Sequence, residues 1–336
     1  MPATHIVSHE LDFSLMKTIL VRVTSALPIA QDIRLITLAA VDGSELPAYQ
    51  PGSHIDLHLR SGLIRQYSLC GPQDDASSYS VAVKLEPESR GGSKWVHEKL
   101  YAGYELDISV PRNNFPMAAQ AQHSILVAGG IGITPLISMA RSLQAQGQSF
   151  ELLYFSRSLE HVAFRDELET GALSTASRLL LGLNRDDVTA ALHDALSPRP
   201  DGGHLYLCGP RPFMDAVQAA AAQSGWPEEA VHLEYFSASE ASTDTTGNTG
   251  FQVTLAQSGV TVEVGAGDTI IDVLRARGID VETSCEQGVC GTCVTSVLEG
   301  TPDHRDCFLT SQEKAQGNCM AICISRSKSP RLVLDL

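Results

Sequence analysis

Residues 283–293 read TSCEQGVCGTC, placing three cysteines and two glycines within eleven positions of a chain whose other thiols lie far apart. Cys285, Cys290 and Cys293 are spaced C-x4-C-x2-C, and Cys323 stands further downstream. Four thiolates in this pattern are the ligand set of a plant-type [2Fe–2S] cluster. Structural zinc sites favour two short Cys or Cys/His pairs, and the second pair is missing here. Gly288 and Gly291 fall between the ligands. A loop that wraps an inorganic core and aims amide N–H groups at sulfur needs unusual backbone angles there.

The flanks of this loop extend the pattern. FQVTLAQSGVTVEV (251–264) alternates apolar and polar residues on both sides of a Ser258–Gly259 turn, as a hairpin does. In DTIIDVLRARG (268–278), Ile270, Ile271, Val273 and Leu274 form a helical stripe closed by Gly278. Upstream, SASEASTDTTGNTG (237–250) is made only of small, polar and acidic residues plus glycine and reads as a flexible linker.

Ahead of the linker, residues 17–115 hold short alternating segments, KTILVRVTSA, IRLITLAA, SHIDLHLR and SYSVAVKLE, a series that favours a barrel or sandwich. From about residue 124 the texture changes to strand, glycine loop and helix, which implies a parallel sheet. In VAGGIGITP (127–135) a strand ends at glycines, with Thr134 expected as the helix cap and Pro135 at its first position. Such a helix start suits a pyrophosphate, and LCGP (207–210) marks a second strand-to-helix turn of the same kind. In RQYSL (65–69), Arg65 and Tyr67 share a strand face, and in SRGGSKWVHE (89–98) a glycine pair and Ser93 precede a helix that could receive a phosphate.

At 336 residues the chain has room for two or three domains. A net charge of −15 disfavours nucleic acid and anionic membrane as partners. The first fifteen residues lack a secretory pattern, and the longest apolar stretch, 125–140, is interrupted by glycine and proline. A reducing cytoplasm is therefore expected, which also suits the scattered Cys70, Cys208, Cys307 and Cys319.

Taken in order, R-x-Y-S-L, G-G-S, SVPRNNFP, G-G-I-G-I-T-P, C-G-P, E-Y-F and the cysteine pattern resemble the phthalate dioxygenase reductase and vanillate O-demethylase reductase family from residue 17 to 336. The resemblance implies a multidomain fold: an N-terminal extension (1–16), an antiparallel β-barrel flavin domain (17–118), an α/β parallel-sheet nucleotide domain (119–236), the linker (237–250) and an α+β β-grasp ferredoxin domain (251–336). It implies FMN, a [2Fe–2S] cluster and NADH, with NADPH as an alternative donor, and a Rieske-type oxygenase as partner.

By position, Arg65, Tyr67 and Ser68 would hold flavin, Val83 and Lys84 would border its ring, and Gly92 and Ser93 would bind the FMN phosphate. Gly130, Thr134, Cys208 and Pro210 would position the nicotinamide nucleotide, with Arg157 at its ribose end and Phe236 covering the flavin face. Ser68, Cys208 and Phe236 would lie nearest the reacting atoms. The residues leave Cys319 and Cys323 competing for the fourth ligand place, since an extended CMAICIS segment puts both on one face; the resemblance selects Cys323, followed by Ile324, Ser325 and Arg326. Alternative roles are a reductase for a haem or other iron–sulfur acceptor and a redox-sensing cluster protein.

Overall fold

The computed structural model describes residues 18–59, 63–87, 91–236 and 246–336; the N-terminal extension and most of the expected linker lie outside them. The first unit contains β1 (Thr18–Ala30), β2 (Ile33–Ala40), β3 (Ser53–His58), β4 (Ile64–Ser68), β5 (Tyr79–Lys84), β6 (Glu105–Ser109) and β7 (Arg112–Asn113), with α1 (Gly92–Lys99) between β5 and β6. The strands are antiparallel in the order β4-β3-β6-β1-β2-β5, with β7 beside β3. A bridge between Leu69 and Val81 brings the ends of that order together and closes the barrel. Strand periodicity sends Val21, Val23, Ile36, Leu38, Ile55, Leu57, Val81 and Val83 inward. Reducing Ile36, Leu38, Ile55 or Leu57 to alanine would cost about 2–5 kcal/mol.

The second unit is a parallel sheet of β8 (His123–Gly129), β9 (Ser149–Ser156), β10 (Ser177–Leu181), β11 (Gly203–Cys208) and β12 (Val231–Glu234), ordered β10-β9-β8-β11-β12. Alternate residues face opposite layers. Leu126, Ala128, Leu152, Tyr154, Tyr206 and Cys208 pack with α2 (Ile133–Ala145), whereas Ile125, Val127, Leu153, Phe155, Leu205 and Leu207 pack with α4 (Arg185–Leu196) and α5 (Arg211–Gln223). A short α3 (Arg165–Glu169) lies between β9 and β10. The α2 layer also takes in Ile33, Cys70, Ala82 and Phe115 of the barrel, so the first two units share one core.

The third unit has its own core. Its sheet runs β14 (Thr261–Val264), β13 (Phe251–Leu255), β19 (Arg331–Leu334), β15 (Val294–Glu299), β17 (Cys319–Ala321), gripping α6 (Ile270–Ala276) in the expected β-grasp manner. A small ribbon of β16 (Pro302–Asp303) and β18 (Arg326–Ser327) and the helix α7 (Ser311–Gln316) complete it. The Thr310–Glu313 capping box starts α7. Among the described residues no helix is long and apolar enough to cross a membrane.

Candidate active site and cluster loop

The order of the parallel strands reverses between β8 and β11, and ligands of such sheets bind outside the carboxyl ends of the strands at that point. The turns there lie unusually close: a Cβ on Gly132 would stand 2.2 Å from the Cys208 carbonyl oxygen, so only glycine fits. Gly130–Gly132 form a 3-10 turn that runs directly into α2. Thr134 is therefore not the helix cap and Pro135 not its first residue; Gly132 holds the cap position, and the Thr134 hydroxyl donates to the Ile131 carbonyl at 3.1 Å. The glycine turn continues into helix without an extended capping residue, which moves the helix start toward the N-terminus. Pro210 caps α5.

A cavity of about 890 Å³ opens at these turns and runs between the parallel sheet and the barrel. Arg65, Tyr67, Ser68, Lys84 and Ser93 line the barrel side, and Gly130, Thr134, Arg157, Pro210 and Phe236 the nucleotide side. Gly92 lies beneath the Arg65 side chain, and the Ser93 hydroxyl accepts the Glu86 amide at 3.1 Å. Two expected residues are placed differently. Val83 turns its side chain into the barrel core, while its carbonyl faces His97 Nε2 at 2.9 Å; the two-residue period of β5 gives the cleft to Ala82 and Lys84 instead. Cys208 is fully buried behind the wall, and its thiol pKa is raised well above the ordinary value by burial and by the neighbouring Glu234 carboxyl.

Glu234 is the residue the sequence reading used only as part of E-Y-F. It pairs with Cys208 across β11 and β12, and the Ser68 hydroxyl hydrogen-bonds to it. Its Oε2 is enclosed with no hydrogen-bond partner, and burial raises the carboxyl pKa to about 8. Glu234 does not itself line the cavity, so Ser68 is the group that a polar ligand in this cleft would meet. Phe236, two residues further on and 40% exposed, stands free at the cleft edge.

The cluster loop meets the same cleft through Gln287. Its thiols influence one another two by two, Cys285 with Cys290 and Cys293 with Cys323. In each pair one thiol's pKa falls, that of Cys290 to about 5, while its partner's rises, because one proton is shared between two buried sulfurs. The Gln287 amide points at Cys285 Sγ at 3.3 Å. Gly291 has φ +76°, and a Cβ there would strike the Phe308 ring at 2.3 Å. Two sulfurs per iron is the arrangement of a binuclear cluster. The donor set fits [2Fe–2S].

Cys319 and Cys323 do not share an extended face. β17 ends at Ala321, and the Ile324 and Ser325 amides return to the Ala321 carbonyl, a turn that carries Cys323 back beside Cys293. Cys307 stays outside the group, its Sγ accepting from Arg211 Nη1 at 3.2 Å.

A barrel and a nucleotide-type sheet enclosing one cleft, with a paired-thiol loop at its wall, define an iron–sulfur flavoprotein oxidoreductase that uses a nicotinamide nucleotide. Comparison with known proteins bears this out. Residues 253–328 match the 2Fe-2S iron-sulfur cluster binding domain family, and residues 109–231 the N-terminal domain of dimethylamine monooxygenase subunit DmmA-like proteins. Vanillate O-demethylase oxidoreductase of Pseudomonas putida is 46% identical over 309 residues, 91% of this chain and 96% of that one. Phthalate dioxygenase reductase, a modular structure for electron transfer from pyridine nucleotides to [2Fe–2S], superimposes with a TM-score of 0.73 at 37% identity over 95% of this chain and 98% of its own. An intact type IV self-sufficient cytochrome P450 monooxygenase gives 0.83 at 39% identity, covering 95% of this chain and 41% of that one. The chain belongs to the vanillate O-demethylase oxidoreductase family.

Proposed function

We propose that this chain is the reductase component of a Rieske-type oxygenase system, taking hydride from NADH and delivering electrons singly to the oxygenase through FMN and a [2Fe–2S] cluster. One observation carries the reading: Gln287 of the cluster loop, Ser68 of the barrel and Gly130 of the nucleotide turn line one cavity. This arrangement supports a reading in which donor, carrier and cluster would be held around a single space. Bound flavin supplies the conversion between the two electrons of a hydride and the single electron a [2Fe–2S] centre accepts.

The protein's own part is placement. Arg65, with Gly92 and Ser93 at the start of α1, offers a positive charge and amide donors to a phosphate. Tyr67 and Lys84 border the ring seat, and Ser68 presents its hydroxyl under the control of Glu234. With a pKa near 8, Glu234 keeps its proton at neutral pH, so no buried negative charge opposes an anionic nucleotide. Gly130, Thr134 and Pro210 shape the nucleotide seat, and the buried, neutral Cys208 thiol backs it. Arg157 and Phe236 line the same cavity, where Arg157 would meet the ribose end and Phe236 would cover the face that nicotinamide must enter. Cys285, Cys290, Cys293 and Cys323 would hold the cluster.

A plant-type cluster near about −400 mV and a Rieske centre at about −150 mV or above differ by at least about 250 mV. At about 59 mV per tenfold, electrons favour the Rieske side by roughly four powers of ten. Likeness to part of a self-sufficient P450 monooxygenase supports a haem acceptor as the second reading. Heat release of the bound flavin should yield FMN, and the NADH-reduced protein should be reoxidised in a single turnover by a Rieske oxygenase component. Stoichiometric FAD would overturn the carrier, and reoxidation by a haem monooxygenase alone would move the assignment to the second reading.

A further inference from the structure

The segment SVPRNNFP (109–116) stands in the order of motifs, yet Arg112, Asn113 and Asn114 take no part in the cleft wall. Asn114 reaches the third unit directly, and Arg112 does so through Asp56. The Asn114 side-chain amide donates to the Cys290 carbonyl at 2.7 Å. Arg112 Nη2 lies 2.6 Å from Asp56 Oδ2, and the other oxygen of that carboxylate accepts the Ser284 hydroxyl at 2.7 Å. Asp56 is 0% and Ser284 5% exposed, and Ser284 directly precedes Cys285. Asn113 stiffens the shelf, donating to the Pro51 carbonyl and accepting the Phe115 amide, both at 3.0 Å.

The third unit's apolar core contains no residue of the barrel or parallel sheet, so these polar bonds join the cluster loop to the barrel without a shared core. We propose that Asp56, Arg112 and Asn114 form a docking seat that holds the cluster loop at Ser284 and Cys290 and so sets the distance over which an electron passes from flavin to cluster. The inference rests on the assignment of the flavin seat and cluster ligands above. A buried ion pair adds little net stability but demands its partners in one geometry. Asp56 reaches Ser284, and Asn114 reaches Cys290, only when the loop lies in one register on the barrel. Electron tunnelling weakens exponentially with distance, so a loop held at two points keeps its rate and a loosened one loses it. Asp56, Arg112 and Asn114 are therefore positioning residues.

The test uses the full-length protein with flavin and cluster bound, carrying Asn114→Ala and Ser284→Ala together. NADH should reduce the flavin at the parental rate, while reduction of the cluster slows by about tenfold or more, equivalent to about 1.4 kcal/mol. The reduced cluster should keep its EPR g-values, and solution X-ray scattering should report a larger radius of gyration. Ser284→Thr should retain the parental rate and Ser284→Val should not, which gives a reading even where the double variant fails to fold. A parental rate of cluster reduction, an unchanged scattering profile, an equal loss in flavin reduction or a shifted cluster spectrum would each overturn the seat. Absence of flavin or cluster signals from the parent protein would instead sink the underlying assignment.

Discussion

Cys323 and Cys319 are separated by three residues and by opposite surroundings. Cys323 is buried against Cys293, whereas Cys319 lies on β17 opposite Ser296. Cys323→Ser should abolish or strongly shift the reduced-cluster EPR signal, and Cys319→Ser should leave two irons and the parental spectrum; the reverse result would hand the ligand role to Cys319. A second residue-scale expectation concerns His54, enclosed on β3 with both ring nitrogens unpartnered. Burial, reinforced by Arg112 and opposed by Asp56, lowers its pKa to about 4. The unfolded chain therefore takes up this proton as pH falls below about 6.5 while the folded one refuses it until about 4, a loss of up to about 3 kcal/mol across that window. His54→Gln should flatten the decline of Tm between those pH values relative to the parent, and parallel curves would refute it. The cysteine pattern was legible because thiol spacing is itself the chemistry. Glu234 was not, since a carboxylate in a strand gives no sign that it will be enclosed beside Ser68 and Cys208. The Val83 side chain faces the barrel core for a different reason: the motif marks the segment, while only the phase of the strand tells which neighbouring side chain turns toward the cleft.

Among elements, the long alternating strands and the glycine-to-helix turn were readable, because one period or one breaker residue determines each. β10, α4 and β12 were not picked out, and each has a physical reason. β10 and β12 are the edge strands of the parallel sheet, with no residue fully buried, so neither shows a continuous apolar run. α4 buries only Leu192 and Leu196. The element that bears on donor choice is β9, which delivers Ser156 and Arg157 to the cleft at its carboxyl end. We expect kcat/KM to favour NADH over NADPH, and Arg157→Ala to raise KM for NADH several-fold with kcat retained, as removal of uniform binding does. A ratio in favour of NADPH would show that the arginine and hydroxyl receive a 2′-phosphate.

At the scale of the whole molecule, the shared core of barrel and parallel sheet contrasts with the polar attachment of the third unit. A chain ending at Phe236 should accordingly stay soluble, bind flavin and accept hydride from NADH, because the third unit shares no apolar core with the other two and the surface it uncovers carries Asp56, Arg112 and Asn114. It should fail to pass electrons to the oxygenase, as assayed by substrate turnover with that component. Loss of flavin from the shortened chain would mean that Gln287 is an indispensable wall and that all three units fold as one. The three-unit division was visible from composition and motif order, whereas the seat between units was not, since Ser284 and Asp56 lie far apart in sequence and nothing local to either announces the other. The place of β19 carries one more consequence. It inserts between β13 and β15, pairing parallel with the first strand of its unit and antiparallel with the loop's own following strand. During synthesis the ribosome therefore releases a barrel and a nucleotide sheet able to mature early, while the sheet of the third unit stays unzipped down its middle until residues 331–334 emerge.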